Sequence, residues 1–460
     1  MKSTEQALTK RTDSPEAPYW PSGRLLGHIH QMGEDPLNTM TRAHREVGEL
    51  VRIRLGHIPG YLVFNPADVK TVLLDNADLY AKTTRGYRKL RLMLGNGLVT
   101  SDGQFWLRQR RIAQPAFRRK SIAGFARSMT RATEDLIARW EPVARTGGVV
   151  DVADAMNALT LRIAGETLMS VDVTGDAQII ARALDTAMTR FSQLVSSPLP
   201  YPEYWPTPVN YRFWTRLGQM RELVDNIIDD RRRSGVEVHD LLGMFMAAED
   251  PETGERMTDQ QLRDEVLTML TAGHETTANA LSWTLYLLSK YPGVVQALEA
   301  EVDSVLAGRR AGIKDLAQLT YTAQVAKEAM RLYPPVWLVA RQALCETTLG
   351  GYRIPKGAYV FMSQWAIHRH PKYWPNPEAF DPSRFAPDRP APDRFAYLPF
   401  SRGKRQCIGD RFAEMETVLV LATLVQHYRF ALDPGHPVEL EPSVTLRPKN
   451  GIRMKISRRE

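Results

Sequence analysis

The chain has 460 residues, of which 43% are hydrophobic and 24% are charged. This composition excludes global disorder and allows a large buried core, while the length alone favours two or more domains. The net charge of +8 is compatible with a nucleic acid, a membrane surface or an acidic protein as partner. The two cysteines, Cys345 and Cys407, allow at most one disulfide, which suits a reducing cytoplasm.

The first predicted feature is a polar N-terminal tail, residues 1–24. It has no apolar run long enough for a signal peptide, and no segment of the chain reaches the roughly 18 apolar residues of a transmembrane helix. We therefore expect no transmembrane anchor. Residues 50–55 alternate apolar and polar side chains, which predicts a half-buried strand, and residues 60–64 are its predicted hairpin partner.

Helical periodicity dominates residues 99–310, interrupted at 196–208 by a loop dense in proline and aromatic residues. The longest helical signal covers residues 257–290 and begins at a capping box formed by Thr258 and Gln261. A helix of this length measures roughly 50 Å at 1.5 Å per residue, so it is expected to cross a whole domain.

The C-terminal third mixes helices with strands. A helix over 322–332 ends before two prolines, and residues 350–360 and 444–456 are predicted strands with internal turns. Residues 368–400 are aperiodic and rich in proline, and so long an irregular stretch is uncommon unless it is functional. A last long helix is predicted just after Cys407.

The most informative segment is the loop 400–409, in which Cys407 opens this last helix. Gly403 and Gly409 allow a sharp turn and a close approach to a flat ligand. The helix start directs free N–H groups and a positive dipole at the sulfur, which favours the thiolate, the form that binds a metal. Arg405, two residues before the cysteine, can pair with an anionic group of such a ligand.

A second unusual segment lies in the middle of the long helix, where Gly273, Thr276 and Thr277 are poor helix formers between apolar flanks. Such a weak point in a buried helix suggests a functional distortion. Gly273 leaves room for a small molecule such as dioxygen. Thr276 can donate a hydrogen bond to it, and the neighbouring Glu275 can supply protons.

Both segments resemble motifs of the cytochrome P450 family. The pattern F-x-x-G-x-R-x-C-x-G is matched in full by Phe400, Gly403, Arg405, Cys407 and Gly409. The oxygen-activation motif [A/G]-G-x-[D/E]-T-[T/S] is matched at every position by residues 272–277. The resemblance implies a mainly α fold with small β-sheets (α+β), with haem between the long central helix and the helix following Cys407. It also implies one catalytic domain, residues 25–460, so the two-domain expectation gives way.

The resemblance further implies a set of cofactor-binding residues. The cofactor is haem b, held non-covalently because the sequence has no CxxCH motif, with Cys407 as the iron ligand. The other implied haem-binding residues are Trp106, Arg110, Arg341, Phe400, Arg405, Gly409 and Ala272. Glu275 and Thr276 are the implied catalytic residues, which deliver protons.

A structural triad is implied as well. In the family, an E-x-x-R pair on a helix locks an arginine from a later irregular segment and so holds the cysteine loop in place. Glu328 and Arg331 match the pair, and Arg384 matches the third member. The match in the later segment is partial, because Ser383 stands where an acidic residue is common.

The implied activity is that of a soluble, cytoplasmic, bacterial-type haem-thiolate monooxygenase: one atom of O₂ enters a C–H or C=C bond, and two electrons reduce the other to water. Electrons would come from a separate ferredoxin or flavodoxin with its NAD(P)H reductase. An acidic partner could dock on a basic face formed by residues 118–120 with Arg402, Lys404 and Arg411. Nothing in the sequence resembles a nucleic-acid-binding module.

The predicted substrate pocket is largely apolar, which suits a lipophilic small molecule such as a terpenoid, steroid, fatty acid or polyketide. Its predicted walls are Thr268, Ala272, Val336, Trp337, Leu338 and Val339. Two alternatives stay open: a peroxide-using or isomerase-type P450, and a non-catalytic haem-binding protein. The intact pair of Glu275 and Thr276 argues against peroxide use, because a peroxide-using enzyme needs no proton relay.

Overall fold

The computed structural model describes residues 14–170, 177–196, 202–235 and 238–459. Most of this chain is helical, as the periodicity predicts. The α-helices are α1 (Ile29–Glu34), α2 (Pro36–Val47), α3 (Pro66–Lys70), α4 (Arg85–Leu94), α5 (Gly103–Ala113), α6 (Arg119–Ile122), α7 (Ala126–Arg145), α8 (Val152–Met169), α9 (Ala177–Ser196), α10 (Pro208–Ser234), α11 (Leu241–Ala247), α12 (Asp259–Leu288), α13 (Pro292–Leu306), α14 (Thr320–Leu332), α15 (Gln364–Ile367) and α16 (Asp410–His427).

The strands are short and form four small sheets. They are β1 (Leu50–Leu55), β2 (Ile58–Val63), β3 (Tyr80–Ala81), β4 (Val149–Asp151), β5 (Val339–Ala343), β6 (Thr347–Leu349), β7 (Tyr352–Ile354), β8 (Tyr359–Met362), β9 (Tyr428–Leu432), β10 (Leu440–Pro442), β11 (Leu446–Pro448) and β12 (Arg453–Arg458). The largest sheet has the order β1-β2-β8-β5-β3, and β4-β12-β9, β10-β11 and β6-β7 form the others. The mainly α fold with small sheets is therefore confirmed.

Helix α12 is the axis of the molecule. It begins at the predicted capping box, in which the Thr258 hydroxyl accepts from the N–H of Gln261 and the Gln261 side chain accepts from the N–H of Thr258. Helix α12 runs beside α8 and also packs against α10, α14 and α16. Most of its residues are buried, and those from Thr277 to Leu288 are buried without interruption, so this part of the helix is enclosed on all sides. Side chains on α12 can therefore face cavities inside the protein.

The predicted strand regions of the C-terminal third are confirmed, with turns where the sequence places them. Pro355 and Gly357, which has φ +84°, separate β7 from β8, and these two strands join different sheets. A second turn contains Gly451, which has φ +69°, and separates β11 from β12. Only glycine adopts this backbone conformation readily, so the two glycines divide what would otherwise be long strands.

Residues 14–24 lie against the body of the protein. Tyr19 forms a bridge to Arg52 on β1, and Trp20 is buried, with its indole N–H donating to the Glu46 carboxylate at 3.0 Å. The rest of the predicted polar tail, residues 1–13, is outside the described residues. The described part of that tail thus extends the packed body rather than standing apart from it.

Candidate active site

The cavity that holds the predicted site residues lies between α12 and α16 and measures about 300 Å³. Its wall combines the cysteine loop, the middle of α12 and the loop after α4, and most of the lining surface is apolar. The predicted site residues on the wall are Trp106, Arg110, Thr268, Ala272, Thr276, Val336, Phe400, Arg405, Cys407 and Gly409. Segments far apart in the sequence therefore meet where the motifs predict.

The cysteine loop folds back on itself before α16. Residues Gly403–Arg405 form a 3₁₀ turn, and the backbone N–H of Cys407 donates to the carbonyl of Phe400 at 2.9 Å. Gly403 has φ +76°, and a Cβ atom there would overlap the carbonyl oxygen of Leu73. Glycine is required at this position for both reasons. Gly409 has an ordinary negative φ, and a Cβ there would make only a normal contact with Phe117, so the fold does not demand glycine at 409.

Cys407 lines the cavity, and its surface is accessible from the cavity. Desolvation raises the pKa of the Cys407 thiol to about 11, and a hydrogen bond from the backbone of Gly409 opposes this rise. A free thiol in this position keeps its proton at neutral pH, whereas a coordinating thiol loses its proton to the metal. The site therefore favours a thiolate only when a cation sits against the sulfur.

Four cationic side chains lie close together near the cavity: Lys82, Arg110 and Arg405 line it, whereas the predicted Arg341 is not part of its lining. The pKa of Lys82 is well below its usual value. Desolvation is the largest cause, and the positive charges of Arg341, Arg405 and Arg110 lower it further. Desolvation also lowers the pKa of Arg405 to about 10. Among the described residues, Asp102 is the carboxylate hydrogen-bonded to this cationic cluster. Positive charge therefore remains in excess, which suits a ligand with carboxylates.

Two predicted members of the cationic cluster, Arg405 and Arg110, are fixed by contacts with other segments. The guanidinium of Arg405 lies 3.8 Å from the centre of the Trp106 ring and donates to the carbonyl of Ser101 at 2.8 Å. Arg110 donates to the carbonyl of Gln406 at 3.0 Å, which ties α5 to the cysteine loop. Trp106 thus positions an arginine by stacking, a role beyond the haem binding that the resemblance implies for it.

Sequence reasoning missed Lys82. Its ammonium donates to the carbonyl of Val99 at 3.2 Å, and its backbone N–H donates to Asp102 at 2.6 Å. The residue lies outside any motif and directly follows β3, the edge strand paired with β5, which carries Arg341. Lys82 reaches the cluster because β3 pairs with β5. In this pairing Ala81 lies opposite Gln342, about 260 residues away in the chain.

The predicted catalytic residues Glu275 and Thr276 form the acid–alcohol segment of α12, in which Thr276 lines the cavity and Glu275 does not. Thr276 donates its hydroxyl proton to the carbonyl of Ala272 at 2.6 Å, and a Cβ atom on Gly273 would meet no protein atom within 4 Å. Space for a small molecule is therefore present beside Gly273, as predicted. The helix assignment is unbroken from Asp259 to Leu288, so the expected distortion does not interrupt the helix.

The Glu275 carboxylate contacts the hairpin of β10 and β11. The Thr445 hydroxyl donates to Oε1 of Glu275 at 2.7 Å, and the Asn279 amide donates to Thr445 at 3.2 Å. Neither Thr445 nor Asn279 was singled out as a catalytic or positioning residue from the sequence. The carboxylate predicted to supply protons is thus held by a loop about 170 residues away in the chain.

The predicted triad is assembled. Arg331 donates twice to Glu328, from Nε and from Nη2, at 2.7 Å each, and both side chains are fully buried. Arg384 donates to the same carboxylate at 3.2 Å. Arg331 also donates to three backbone carbonyls of the irregular segment, those of His368, Pro377 and Ala379. The triad therefore holds the segment that leads into the cysteine loop.

Comparison with known proteins agrees with this geometry. A family model described as cytochrome P450 matches residues 17–456. The chain belongs to the cytochrome P450 family. This P450 is 38% identical over 436 residues to a cyclooctat-9-en-7-ol 5-monooxygenase of Streptomyces melanosporofaciens, with 93% of each chain covered. It is 33% identical to a pentalenene oxygenase of Streptomyces avermitilis, covering 95% of this chain and 96% of that relative.

The fold comparison gives the same family. The crystal structure of the cytochrome P450DA heme domain superposes with a TM-score of 0.87 at 30% identity, covering 97% of this chain and 98% of that one. With monooxygenases among its relatives, this P450 is an oxidoreductase of the monooxygenase class. The family carries a haem-thiolate iron cofactor. No helix in the described ranges is long and apolar enough to cross a membrane.

The residues of this P450 fit a haem. The two propionates of a haem carry two negative charges, which the excess positive charge of the cationic cluster would balance. The Cys407 sulfur on the cavity wall would supply the one soft ligand that iron requires in this class. The buried side-chain oxygen of Gln364, which also lines the cavity, has no hydrogen-bond partner among the described residues. Such an orphaned acceptor indicates that a ligand or its bound water completes the site.

The predicted pocket of this P450 is assembled only in part. Thr268, Ala272 and Val336 line the cavity, but Trp337, Leu338 and Val339 do not. Trp337 is buried in a separate apolar cluster and donates its indole N–H to the carbonyl of Ser443 at 3.0 Å. Val339 begins β5 and packs into the core of the large sheet. The chain leaves the cavity after Val336. The prediction that the next three residues line the pocket is therefore wrong for this cavity.

Helix α12 also holds the loop that forms one cavity wall. Glu265 accepts from the backbone N–H of Leu98 at 3.0 Å and from the Gln109 amide at 3.4 Å. The loop comes so close to the helix that a Cβ atom on Gly97 would overlap the hydroxyl of Thr268. Because Leu98 lines the cavity, Glu265 fixes the position of part of the cavity wall. Desolvation raises the pKa of Glu265 to about 7.

Glu265→Gln is expected to change the pH dependence of stability. A carboxyl whose pKa is higher in the folded state takes up protons on folding. Glu265 therefore lowers the free energy of unfolding more and more as the pH rises from about 4.5 to 7. That effect is worth about 3 kcal/mol above pH 7. Glutamine cannot ionise and can still accept from Leu98. The stability of the variant relative to wild type should therefore rise between pH 5 and pH 8, as measured by thermal unfolding.

Glu222→Gln, which removes a carboxylate from an exposed position on α10, is the matched control for the change in net charge. The two variants should diverge as the pH rises. Parallel behaviour of Glu265→Gln and Glu222→Gln across this range would contradict the assignment of a titration near neutral pH to Glu265.

Proposed function

We propose that this P450 hydroxylates a cyclic terpenoid. The observation that carries the proposal is the largely apolar lining of the cavity, to which α8 and α12 contribute Ala164, Leu168, Met269 and Ala280. Such a wall binds a hydrocarbon skeleton by removing apolar surface from water. Two relatives are named for cyclooctat-9-en-7-ol and for pentalenene, which supports a terpenoid over a fatty acid or a steroid.

The cofactor in this proposal is haem b, bound without covalent links. Cys407 ligates the iron, and Lys82, Arg110, Arg341 and Arg405 bind the two propionates. When bound, the haem supplies the iron chemistry that activates O₂ for insertion into a C–H or C=C bond. Phe400 and Gly409 line the cavity together with Cys407 and would contact the haem beside its ligand.

Proton handling falls to two neighbouring residues of α12. Thr276 holds its hydroxyl at the cavity, where the proton now donated to the carbonyl of Ala272 can be redirected to a molecule beside Gly273. Glu275 lies on the hairpin side of the same turn and is partly exposed, so its carboxylate can exchange protons with water. The two groups therefore connect solvent with the cavity through one turn of helix.

Electrons come in this proposal from a separate ferredoxin or flavodoxin with its NAD(P)H reductase, in the cytoplasm. Residues 118–120 and Arg411 are exposed and basic, and the neighbouring Phe117 lies within ordinary contact of the cysteine loop at Gly409. Lys404 on the same loop pairs with Asp78 at 2.7 Å. Residues 118–120 adjoin Phe117, and Lys404 and Arg411 flank Cys407 in the chain, so an acidic partner that docks on these residues would lie near Cys407.

The test is a substrate panel on the haem-loaded enzyme with a surrogate ferredoxin and reductase. Cyclooctat-9-en-7-ol, pentalenene, a steroid and a long-chain fatty acid are compared for the change in haem spin state on binding. Products are then identified by mass spectrometry. We expect a spin shift and a product with one added oxygen atom for a cyclic terpenoid. Oxidation of the fatty acid or the steroid alone would overturn the terpenoid proposal and leave the monooxygenase class intact.

A further inference from the structure

The hairpin of β10 and β11 is attached to α12 by three side chains on one helix face. Glu275 accepts from Thr445, Asn279 donates to Thr445, and Trp283 donates its indole N–H to the carbonyl of Leu446 at 2.9 Å. The three helix residues are spaced four apart, so they form a row along α12. Thr445 is 4% exposed and lies at the point where this row reaches the acid–alcohol segment.

The direction of the Thr445 proton follows from its two partners. The Asn279 nitrogen can only donate, so the Thr445 oxygen accepts from it at 3.2 Å. A hydroxyl has one proton, and with the Asn279 contact occupied by a donor, that proton points to Oε1 of Glu275 at 2.7 Å. The chain Asn279 to Thr445 to Glu275 therefore has one polarity, and each bond strengthens the next.

We infer that Thr445 is a positioning residue for proton delivery by Glu275. Its hydroxyl holds one carboxylate oxygen of Glu275 on the hairpin side, while the next residue, Thr276, presents its hydroxyl to the cavity. A flexible glutamate would sample several rotamers, and only some of them would place the carboxylate where it can pass a proton to Thr276. The inference deepens the proposed function, because it rests on the proposed role of Glu275.

The same contacts link proton delivery to the packing of the hairpin. The backbone N–H of Leu446 donates to the carbonyl of Pro335 at 2.8 Å, and the residue after Pro335 is Val336, which lines the cavity. Thr445 is therefore held between α12 and the segment that forms another part of the cavity wall. A hairpin fixed on both sides is a rigid support for a hydrogen bond that has to persist during turnover.

The chemical consequence can be measured without knowing the natural substrate. With no substrate bound, O₂ is reduced either by two electrons and two protons to H₂O₂, or by four electrons and four protons to two molecules of water. Prompt proton delivery favours water, and late delivery favours release of peroxide. The fraction of NADPH electrons recovered as H₂O₂ thus reports on the proton path rather than on substrate binding.

The test is Thr445→Val, which removes the hydroxyl and keeps the shape of the side chain. With a surrogate ferredoxin and reductase, we expect the share of electrons lost to H₂O₂ to rise by about twofold or more, and the kinetic solvent isotope effect to increase. Thr445→Ser, which retains the hydroxyl, should restore the wild-type values. Unchanged peroxide yield and isotope effect in Thr445→Val would overturn the inference.

Two further variants separate the possible failures. Trp283→Phe removes the hydrogen bond to Leu446 and loosens the hairpin without touching Glu275, so we expect lower stability with an unchanged peroxide share. A rise equal to that of Thr445→Val would show that loosening of the hairpin is the cause and would overturn the inference. Glu275→Gln tests the role on which the inference rests. If it leaves the peroxide share unchanged, the proposed function of Glu275 fails, independently of Thr445.

Discussion

Replacing Arg331 with leucine should lower the free energy of unfolding by about 3–5 kcal/mol, because it leaves the Glu328 carboxylate buried with too little compensating charge. The remaining partners of Glu328 are Arg384 at 3.2 Å and the backbone N–H of Asp381 at 3.0 Å. The change also removes the donor of three backbone carbonyls that Arg331 binds at 2.7 to 2.9 Å. Chemical denaturation followed by circular dichroism measures the loss.

Arg233→Leu is the matched control for this prediction. Arg233 pairs with Asp230 at the same spacing of three residues on a helix, but the two side chains are 76% and 73% exposed. An exposed pair contributes little, so we expect almost no change in stability. If Arg331→Leu does not yield soluble protein, Arg384→Leu removes only the outer partner and should give an intermediate loss. Equal stability of Arg331→Leu and Arg233→Leu would show that burial does not set the value of the pair.

The largest effect on activity is expected for Cys407→Ala. The sequence has only one other cysteine, Cys345, which is buried elsewhere and cannot replace the ligand. Turnover should fall by about 10³-fold or more, because a thiolate ligand promotes cleavage of the O–O bond. The difference spectrum of the dithionite-reduced protein with CO should lose the long-wavelength Soret band typical of thiolate-bound ferrous haem.

Cys345→Ala serves as the control, since it removes a thiol of the same kind from a site without cavity contact. Its CO difference spectrum and turnover should match the wild type. A thiolate-type spectrum that survives in Cys407→Ala, or one that is lost in Cys345→Ala, would mean that Cys407 is not the working ligand. In that case the cavity between α12 and α16 would need a different assignment.

Much of the fold and the site could be predicted because the decisive signals are local. The capping box at Thr258 fixed the start of the long helix, and the spacing around Cys407 placed the start of α16 within three residues. Glu328 and Arg331 lie on one helix turn, so their pairing follows from spacing alone. Each of these features depends on residues fewer than ten positions apart.

The missing parts depend on contacts between distant segments. Lys82 reaches the cationic cluster through the pairing of β3 with β5, and Thr445 reaches Glu275 through the docking of a hairpin on α12. No periodicity or spacing in the sequence encodes such contacts. Trp337 was predicted where it does not belong: its apolar side chain was assigned to the pocket, but it packs in a separate cluster. Apolar character predicts burial but does not say which interior space a side chain faces.

The cationic cluster also has a consequence for how the protein is made. A newly synthesised chain that closes this cavity without haem has to bring Lys82 next to Arg110, Arg341 and Arg405 with little negative charge among them. Like charges this close repel each other strongly where water is excluded. Haem then acts as a folding partner whose binding energy adds to the stability of the native state. We expect the yield of soluble protein in an expressing cell to follow the supply of haem precursors.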